Sequence, residues 1–361
     1  MARCRVLLLY GGRSAEHDVS RTTAVAVARA LDPARYEIVP VAITTEGDWL
    51  LADAARAAIE AGSNALPSEF PVDGSPAEGL GELVARPSAR AALDVDVVLP
   101  LLHGPYGEDG TVQGLFELAD VAYVGSGVLG SAVSMDKVMM KRAFAAAGLA
   151  TPRHLAFRDG HDLGVFVADI EHELGYPCFV KPANMGSSVG VSKVEDEAAL
   201  RDACALALDF DEWIIAEEAI AGREIELGLL GDDPPEVSVP GEVVPGDVFY
   251  SYADKYESDA AELLAPAPLT DEQTHAAQEL ALRAFEACRC EAMARVDLFL
   301  EDPGRGFLVN EVNTIPGFTP ISMYPRLWEV SGVPYPALID RLIELALARH
   351  ERRTRRAGRQ R

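Results

Sequence analysis

No apolar run in this 361-residue chain approaches the roughly 20 residues that span a bilayer; the longest, such as Val6 to Tyr10 and Val97 to Leu102, are far shorter. A membrane helix is therefore not expected. A secretory core is not expected either, because the N-terminal run stops at Gly11, so the expected location is the cytoplasm. Paired cysteine spacing is also missing. Cys4, Cys178, Cys204, Cys288 and Cys290 are scattered and odd in number, which reads as reduced structural thiols. Positive charge is scarce: 32 Lys and Arg face 57 Asp and Glu, a formal charge of -25. Such a surface repels a phosphate backbone and argues against a nucleic-acid partner. A nucleotide is a different matter, since a few local cations and a metal can hold it. There is no Walker loop GxxxxGK[ST], no internal repeat and no low-complexity linker. The acidity is broken once, by "RHERRTRRAGRQR" from Arg349 to Arg361. It reads as a disordered basic tail, the alternative being an arm for an acidic partner or membrane surface.

What is present is ample core material: 49% hydrophobic and 25% charged residues, enough for two or three compact domains. In the opening third, Val6 to Tyr10, Ile38 to Ile43, Val97 to Leu102 and Val121 to Val124 read as buried strands. A capped helix from Ser20 ("SRTTAVAVARAL") separates the first two. That order predicts an α/β unit with a parallel sheet. The stretch from Ala52 to Ser88 reads as a poorly structured insertion. Asp136 can cap a helix running to Gly148, and "CFVKPANMGSSVGVSKV" reads as strand, loop, strand. After Trp213 a sheet-rich region follows, with one helix from Asp271 to Ala287. The expected units are 1–130, 131–212 and 213–348, with a tail at 349–361.

"GSGVLG" at Gly125, Gly127 and Gly130 matches the dinucleotide fingerprint GxGxxG, which points toward a dehydrogenase. The acidic ribose partner expected about 20 residues later is absent around Ala150, so the match reads as a turn.

Four other segments carry chemistry. In "RVDLFLEDPGRGFLVNEVN", Arg295, Asp297 and Phe299 share one strand face, and Glu311 and Asn313 share a face of the next. Pairing Glu301 with Phe307 sets Asp297 opposite Glu311, about 5 Å apart at Cβ. Carboxylates that close call for a cation, and Asp, Glu and Asn oxygens suit magnesium completed by water and phosphates; the plainer reading is a polar, exposed face. In "VKPANMGSSVG", Lys181 ends a strand and Gly186, Ser187, Ser188 and Gly190 form a loop whose amides and hydroxyls can close over phosphates. Lys137 stands beside a similar segment. In "YGGRSAEHDVS", a strand runs into Gly11-Gly12 and then a helix, the usual crevice of an open sheet. Glu16 there can bind an ammonium group or simply favour the helix start. His103, in "LLHGPYGEDG", follows another strand toward the same crevice or serves a turn. Lys255 and Tyr256, in "FYSYADKYESD", sit in an aperiodic stretch suited to a loop over a site.

Taken in order, "YGGRSAEHDVS", "HGPYGEDGTVQG", "VSMDKVMMK", "VKPANMGSSVG", "FYSYADKY", "RVDLF" and "NEVNTIPGFTPISMYP" resemble the D-alanine D-alanine ligases, members of the ATP-grasp family. The resemblance covers nearly the whole chain. It implies an ATP-grasp fold of three domains, α/β in the N-terminal part and α+β in the C-terminal part, with ATP between the latter two. It also implies ATP-dependent joining of two D-alanines through an acyl phosphate, for peptidoglycan synthesis, by a homodimer.

Residue by residue, the resemblance implies that Glu16 holds the first substrate's ammonium, linked to Ser187 and Tyr256. Lys137, Lys181, Ser187, Ser188, Glu217, Glu218, Ile220, Glu224, Lys255 and Asn310 fall at nucleotide-contacting positions. The hinge pair is Glu-Glu where the family has Glu-Lys, so Glu218 cannot supply that lysine's charge. Asp297, Glu311 and Asn313 match ligands for two Mg2+ ions, with Mn2+ as a substitute. Arg295 matches the arginine that steadies the transition state and Gly317 an oxyanion donor; His103 joins the first substrate's site. Ser322 and Met323 match the second-substrate subsite, where an uncharged Met323 favours D-alanine over D-lactate and leaves D-serine as the alternative acceptor.

Overall fold

The computed structural model describes residues 3–76, 95–244 and 262–357, which build three sheets in chain order. The first contains β1 (Cys4–Gly11), β2 (Tyr36–Ile43), β3 (Trp49–Leu51), β4 (Ser75–Pro76), β5 (Val97–Pro100) and β6 (Ala122–Tyr123), in the order β4-β3-β2-β1-β5-β6. β1 runs parallel to β2 and β5, and β5 parallel to β6, while β3 and β4 are antiparallel additions. The apolar run of β1 is a run because both faces are buried. Val6, Leu8 and Tyr10 pack toward the helix His17–Ala30 and the C-terminal helix, whereas Leu7 and Leu9 pack toward the helix Thr111–Leu118.

Two expectations for this part change. The helix begins at His17, not Ser20. Ser20 is buried inside it, where its hydroxyl donates to Leu101 O (2.5 Å) and accepts from Gly11 N (2.8 Å), satisfying backbone groups where β1 and β5 end. The stretch after Leu51 is also ordered: the helix Asp53–Glu60 and β4 follow it directly. Residues 77–94 lie outside the described ones.

The second sheet is fully antiparallel: β7 (His154–Arg158), β8 (Cys178–Pro182), β9 (Ser192–Val194) and β10 (Trp213–Glu218), in the order β7-β10-β8-β9. The helices Leu163–Glu173 and Glu197–Leu208, capped by Asp162 and Asp196, cover it through Phe166, Ile170, Leu200 and Cys204. A boundary after residue 212 therefore cuts β10 away from the two strands that it pairs with.

The third sheet holds β11 (Arg223–Gly231), β12 (Glu236–Val237), β13 (Gly241–Val244), β14 (Glu262–Leu264), β15 (Ala292–Glu301) and β16 (Gly306–Asn313). Its order is β14-β13-β11-β15-β16, with β12 on β11. Val296, Leu298 and Leu300 face the helices Asp271–Ala287 and Lys137–Ala146, while the alternate residues Arg295, Asp297 and Phe299 face a cleft. The register differs from the expected one near the turn, where Glu301 pairs with Gly306 and Leu300 with Phe307. A bulge between Leu298 and Asp297 leaves Asn310 unpaired, and beyond it Asp297 stands opposite Glu311 and Arg295 opposite Asn313.

The basic C-terminus is not a disordered tail up to Ala357, because it continues the helix Tyr335–Ala357. Leu338, Ile339, Leu342, Ile343 and Ala346 bury that helix in the first sheet's core. One turn further on, Arg349 is buried, donates to Tyr123 O (2.6 Å) and Gly125 O (2.5 Å), and lies 4.4 Å from the Tyr123 ring centroid. Arg353 pairs with Glu117 and, at 2.9 Å, with Glu291. Arg349 thus sits on the Gly125 carbonyl of the "GSGVLG" turn. Among the described residues no helix is long and apolar enough to cross a membrane.

Candidate active site

One cavity of about 1200 Å³ is lined from all three sheets. It brings together Glu16, His103, Lys137, Lys181, Ser187, Ser188, Glu217, Glu218, Ile220, Glu224, Arg295, Asp297, Asn310, Glu311, Asn313, Gly317, Ser322 and Met323. Lys255 and Tyr256 lie outside the described residues.

At the first sheet's end, Gly11 turns β1 toward the helix with φ +87, where a Cβ would meet Ile43 O at 2.3 Å; only glycine fits. Glu16 is thereby presented just before His17 and is 8% exposed. His103 follows β5, and its Nδ1 lies 3.1 Å from Ile315 O, tying this crevice to the segment after β16. Glu108, which sequence reasoning passed over within "HGPYGEDG", joins them: donor atoms of Glu16, His103 and Glu108 all lie within 4.8 Å of one another. Glu108 accepts from Gly104 N at 2.8 Å, yet its carboxyl is pushed up to about 7, chiefly by burial; His103 opposes the shift and Glu16 adds to it. The loop after β8 reaches over this cluster, since a Cβ at Gly186 would lie 3.8 Å from carboxylate oxygens of both Glu16 and Glu108. Ser187 and Ser188 in that loop hold φ of 49 and 59, an uncommon conformation for residues other than glycine.

The cavity's next wall is cationic. Asp136 caps the helix Lys137–Ala146 by accepting from Met139 N, and Lys137 Nζ donates to Met185 O at 2.5 Å. Lys181 on β8 donates to Glu217 Oε2 on β10 at 2.5 Å. Behind them stands Lys141, which sequence reasoning missed: its Nζ lies 2.8 Å from Glu217 Oε1 and its side chain is 1% exposed. Burial alone would raise the Glu217 carboxyl, but Lys141 and Lys181 outweigh it and hold the group far below the usual carboxylate range. Burial likewise lowers Lys137 and Lys141, whereas for Lys181 the neighbouring Glu217 and Glu311 overcome burial and raise it.

At the hinge, Glu218 is turned to two arginines. It accepts from Arg153 N (2.8 Å), Arg153 Nε (2.9 Å) and Arg305 Nη1 (2.6 Å). Burial would raise its carboxyl, yet these hydrogen bonds lower it. Arg305 comes from the β15–β16 turn, so the pair ties the second sheet to the third.

Opposite lies an acidic wall. Glu226, Asp297 and Glu311 occupy one row across β11, β15 and β16. Glu226 escaped the sequence reading, although "EIELGLLG" alternates as a strand should. Arg295 donates from Nε and Nη2 to the two oxygens of Asp297, both at 2.7 Å, and its Nε lies 3.2 Å from Glu226. Burial works against its charge, but Asp297 and Glu226 more than restore it. Asn313 Nδ2 donates to Asp297 Oδ2 at 2.9 Å. Three carboxylates in one row outnumber the guanidinium among them, and Asp297, Glu311 and Asn313 offer hard oxygens, so the set fits a magnesium ion.

Past β16, Ser322 Oγ accepts from Thr319 N (3.2 Å) and lies 2.7 Å from Thr319 Oγ1, just before the helix Met323–Val330. Met323 lines the cavity with a side chain packed on Val243 and Leu327. A Cβ at Gly317 would lie 3.3 Å from Ser322 Oγ, which keeps that backbone close to the pocket.

The comparisons with known proteins agree along the chain. The family model described as D-ala D-ala ligase N-terminus matches residues 5–126, and that described as D-ala D-ala ligase C-terminus matches residues 143–344. A D-alanine–D-alanine ligase of Geobacillus kaustophilus is 49% identical over 359 residues, covering 97% of this chain and 96% of that protein. Among solved structures, the D-alanine-D-alanine ligase from Coxiella burnetii superposes with a TM-score of 0.80 at 32% identity, covering 99% of this chain and 98% of that one. The VanG D-Ala:D-Ser ligase from Enterococcus faecalis superposes with a TM-score of 0.82 at 32% identity, covering 96% and 100%. The chain belongs to the D-alanine–D-alanine ligase family and has its ATP-grasp fold.

Proposed function

We infer that the protein is an ATP-dependent ligase that joins two D-alanine molecules to D-alanyl-D-alanine, releasing ADP and phosphate and supplying cell-wall synthesis. A carboxylate is a poor electrophile until one oxygen becomes a phosphate leaving group, and phosphoryl transfer depends on placed cations more than on a protein nucleophile. What supports the reading most is that Lys137, Lys181, the acidic row with Arg295, and Glu16 line one cavity.

In this reading Glu16 and His103 hold the first D-alanine, with Ser187 and Tyr256 completing the hydrogen bonds. Lys137 and Lys181 take the nucleotide's phosphates, under the loop of Ser187 and Ser188; Asn310 and Lys255 are assigned further contacts to the nucleotide. The backbone of Glu217, Glu218 and Ile220 faces the adenine, and Glu224 the ribose. Asp297, Glu311 and Asn313 would hold two Mg2+ ions, for which Mn2+ substitutes; bound metal supplies charge neutralisation along the phosphates. Arg295, fixed by Asp297 and Glu226, steadies the oxyanion that forms when the second amine attacks the acyl phosphate. The Gly317 N–H donates to the same oxygen. Ser322 and Met323 shape the second D-alanine's pocket, and closure over it keeps the acyl phosphate from water. We further place the protein in the cytoplasm, as a homodimer.

The test is product analysis with ATP, Mg2+, D-alanine and, as competing acceptors, D-serine and D-lactate. D-alanyl-D-alanine is expected as the main product, with ADP formed in step with it. ADP release that does not depend on D-alanine would refute the ligase reading, and a dominant mixed product would reassign the acceptor.

A further inference from the structure

Glu217 is 4% exposed and carries one ammonium on each oxygen: Lys181 at 2.5 Å on Oε2 and Lys141 at 2.8 Å on Oε1. The two lysines differ in position. Lys181 lines the cavity, whereas Lys141, on the helix Lys137–Ala146, does not. Apart from this ion pair, the Lys141 ammonium has no hydrogen-bond partner among the described residues. Burying a lysine costs stability that its pairing only partly offsets, so a charge kept here calls for a reason that packing alone does not give.

We propose that Lys141 is a positioning residue for nucleotide binding: it stays with Glu217 and so lets Lys181 leave that carboxylate for the phosphates. The proposal rests on the reading of Lys181 as a phosphate-binding residue. While Glu217 holds it at 2.5 Å, one of the three Lys181 N–H groups and part of its charge are turned away from a phosphate. Departure of Lys181 would strand a buried carboxylate, and breaking a buried pair on one side is far costlier than removing both partners. Lys141 removes that obstacle, because Glu217 keeps a counter-ion whichever way Lys181 points. With Lys141 gone, Glu217 has Lys181 as its one close counter-ion among the described residues and holds it back from the phosphates.

The experiment is calorimetric titration with ADP in the presence of MgCl2 and without D-alanine, on full-length variants whose melting temperatures show that they are folded. Lys181→Met tests the underlying reading and should weaken ADP binding. Lys141→Met should weaken it by roughly 10- to 100-fold although the residue does not line the cavity. In steady-state kinetics the KM for ATP should rise while that for D-alanine holds. Lys141→Arg should recover most of the affinity. Adding Glu217→Gln to Lys141→Met releases Lys181, so the double variant should bind more tightly than Lys141→Met and within twofold of Glu217→Gln alone. That last comparison decides the matter even if Lys141→Met does not fold. A folded Lys141→Met that binds ADP like the parent, with Lys181→Met weakened, overturns this inference alone. A double variant clearly weaker than Glu217→Gln overturns it too. Parent-like binding by Lys181→Met removes the reading beneath it.

Discussion

Asp297 faces Glu311 because Asn310 is left out of the ladder between β15 and β16; the register set at the turn would otherwise put Asn310 opposite Asp297. With Glu226 across from Asp297 on the other side, the bulge completes a row of three carboxylates. Arg295 offsets part of that charge, and the excess that remains favours a bound cation.

Glu311→Gln should therefore separate stability from activity. Ligation should fall by about 100-fold or more, given the several kcal/mol of charge stabilisation that a metal supplies. The melting temperature without metal should change little, because Glu311 repels Asp297 across the ladder but also supports the charges of Lys137, Lys181 and Arg295. Turnover close to the parent's would sink the assignment of Glu311 to the metal.

Glu218 offers a test of non-additivity. Arg153 and Arg305 are about half exposed, so losing either to alanine should cost about 1 kcal/mol or less. Losing both leaves a carboxylate that is 9% exposed without its guanidinium partners, and the cost should clearly exceed the sum. Urea titrations of the four forms measure this directly; strict additivity would mean that water already screens the site.

Glu108 makes stability depend on pH in a defined direction. Its carboxyl moves from an ordinary 4.5 up to about 7 in the folded chain, so between these values the folded state keeps a proton that the unfolded state has released. Its contribution to stability therefore falls as pH rises through that window. Glu108→Gln should flatten the fall in melting temperature there. An unchanged slope would show that other groups set it.

Arg349 should behave as a core residue despite its place in a basic C-terminal run. Arg349→Ala strands the carbonyls of Tyr123 and Gly125 and should cost about 2 to 4 kcal/mol. Ending the chain after residue 348 should lower the melting temperature markedly, because the contacts of Arg349 and Arg353 are then lost.

The strands and their faces were legible because alternation is local: Arg295, Asp297, Glu311 and Asn313 declare a polar face without any partner in view. The bulge was not, since a turn of five residues allows either register and only the three-dimensional ladder selects one. Glu226 and Lys141 were missed for a related reason. Each sits at a spacing that names its face, Glu226 two residues from Glu224 and Lys141 four from Lys137, but their partners lie far away in sequence. The tail was misread through composition. The spacing Leu338, Leu342, Ala346, Arg349, Arg353 continues the apolar stripe straight into the arginines, and following that period would have shown the helix.

That last helix has a further consequence for how the protein is made. Leu338, Leu342 and Ile343 belong to the same core as Val6, Leu8 and Val97. A ribosome that has finished the first sheet has not yet made the helix that covers part of one of its faces. The N-terminal strands stay partly uncovered until residues 338–346 have emerged, so apolar surface of this sheet is exposed for most of the synthesis of the residues that precede them.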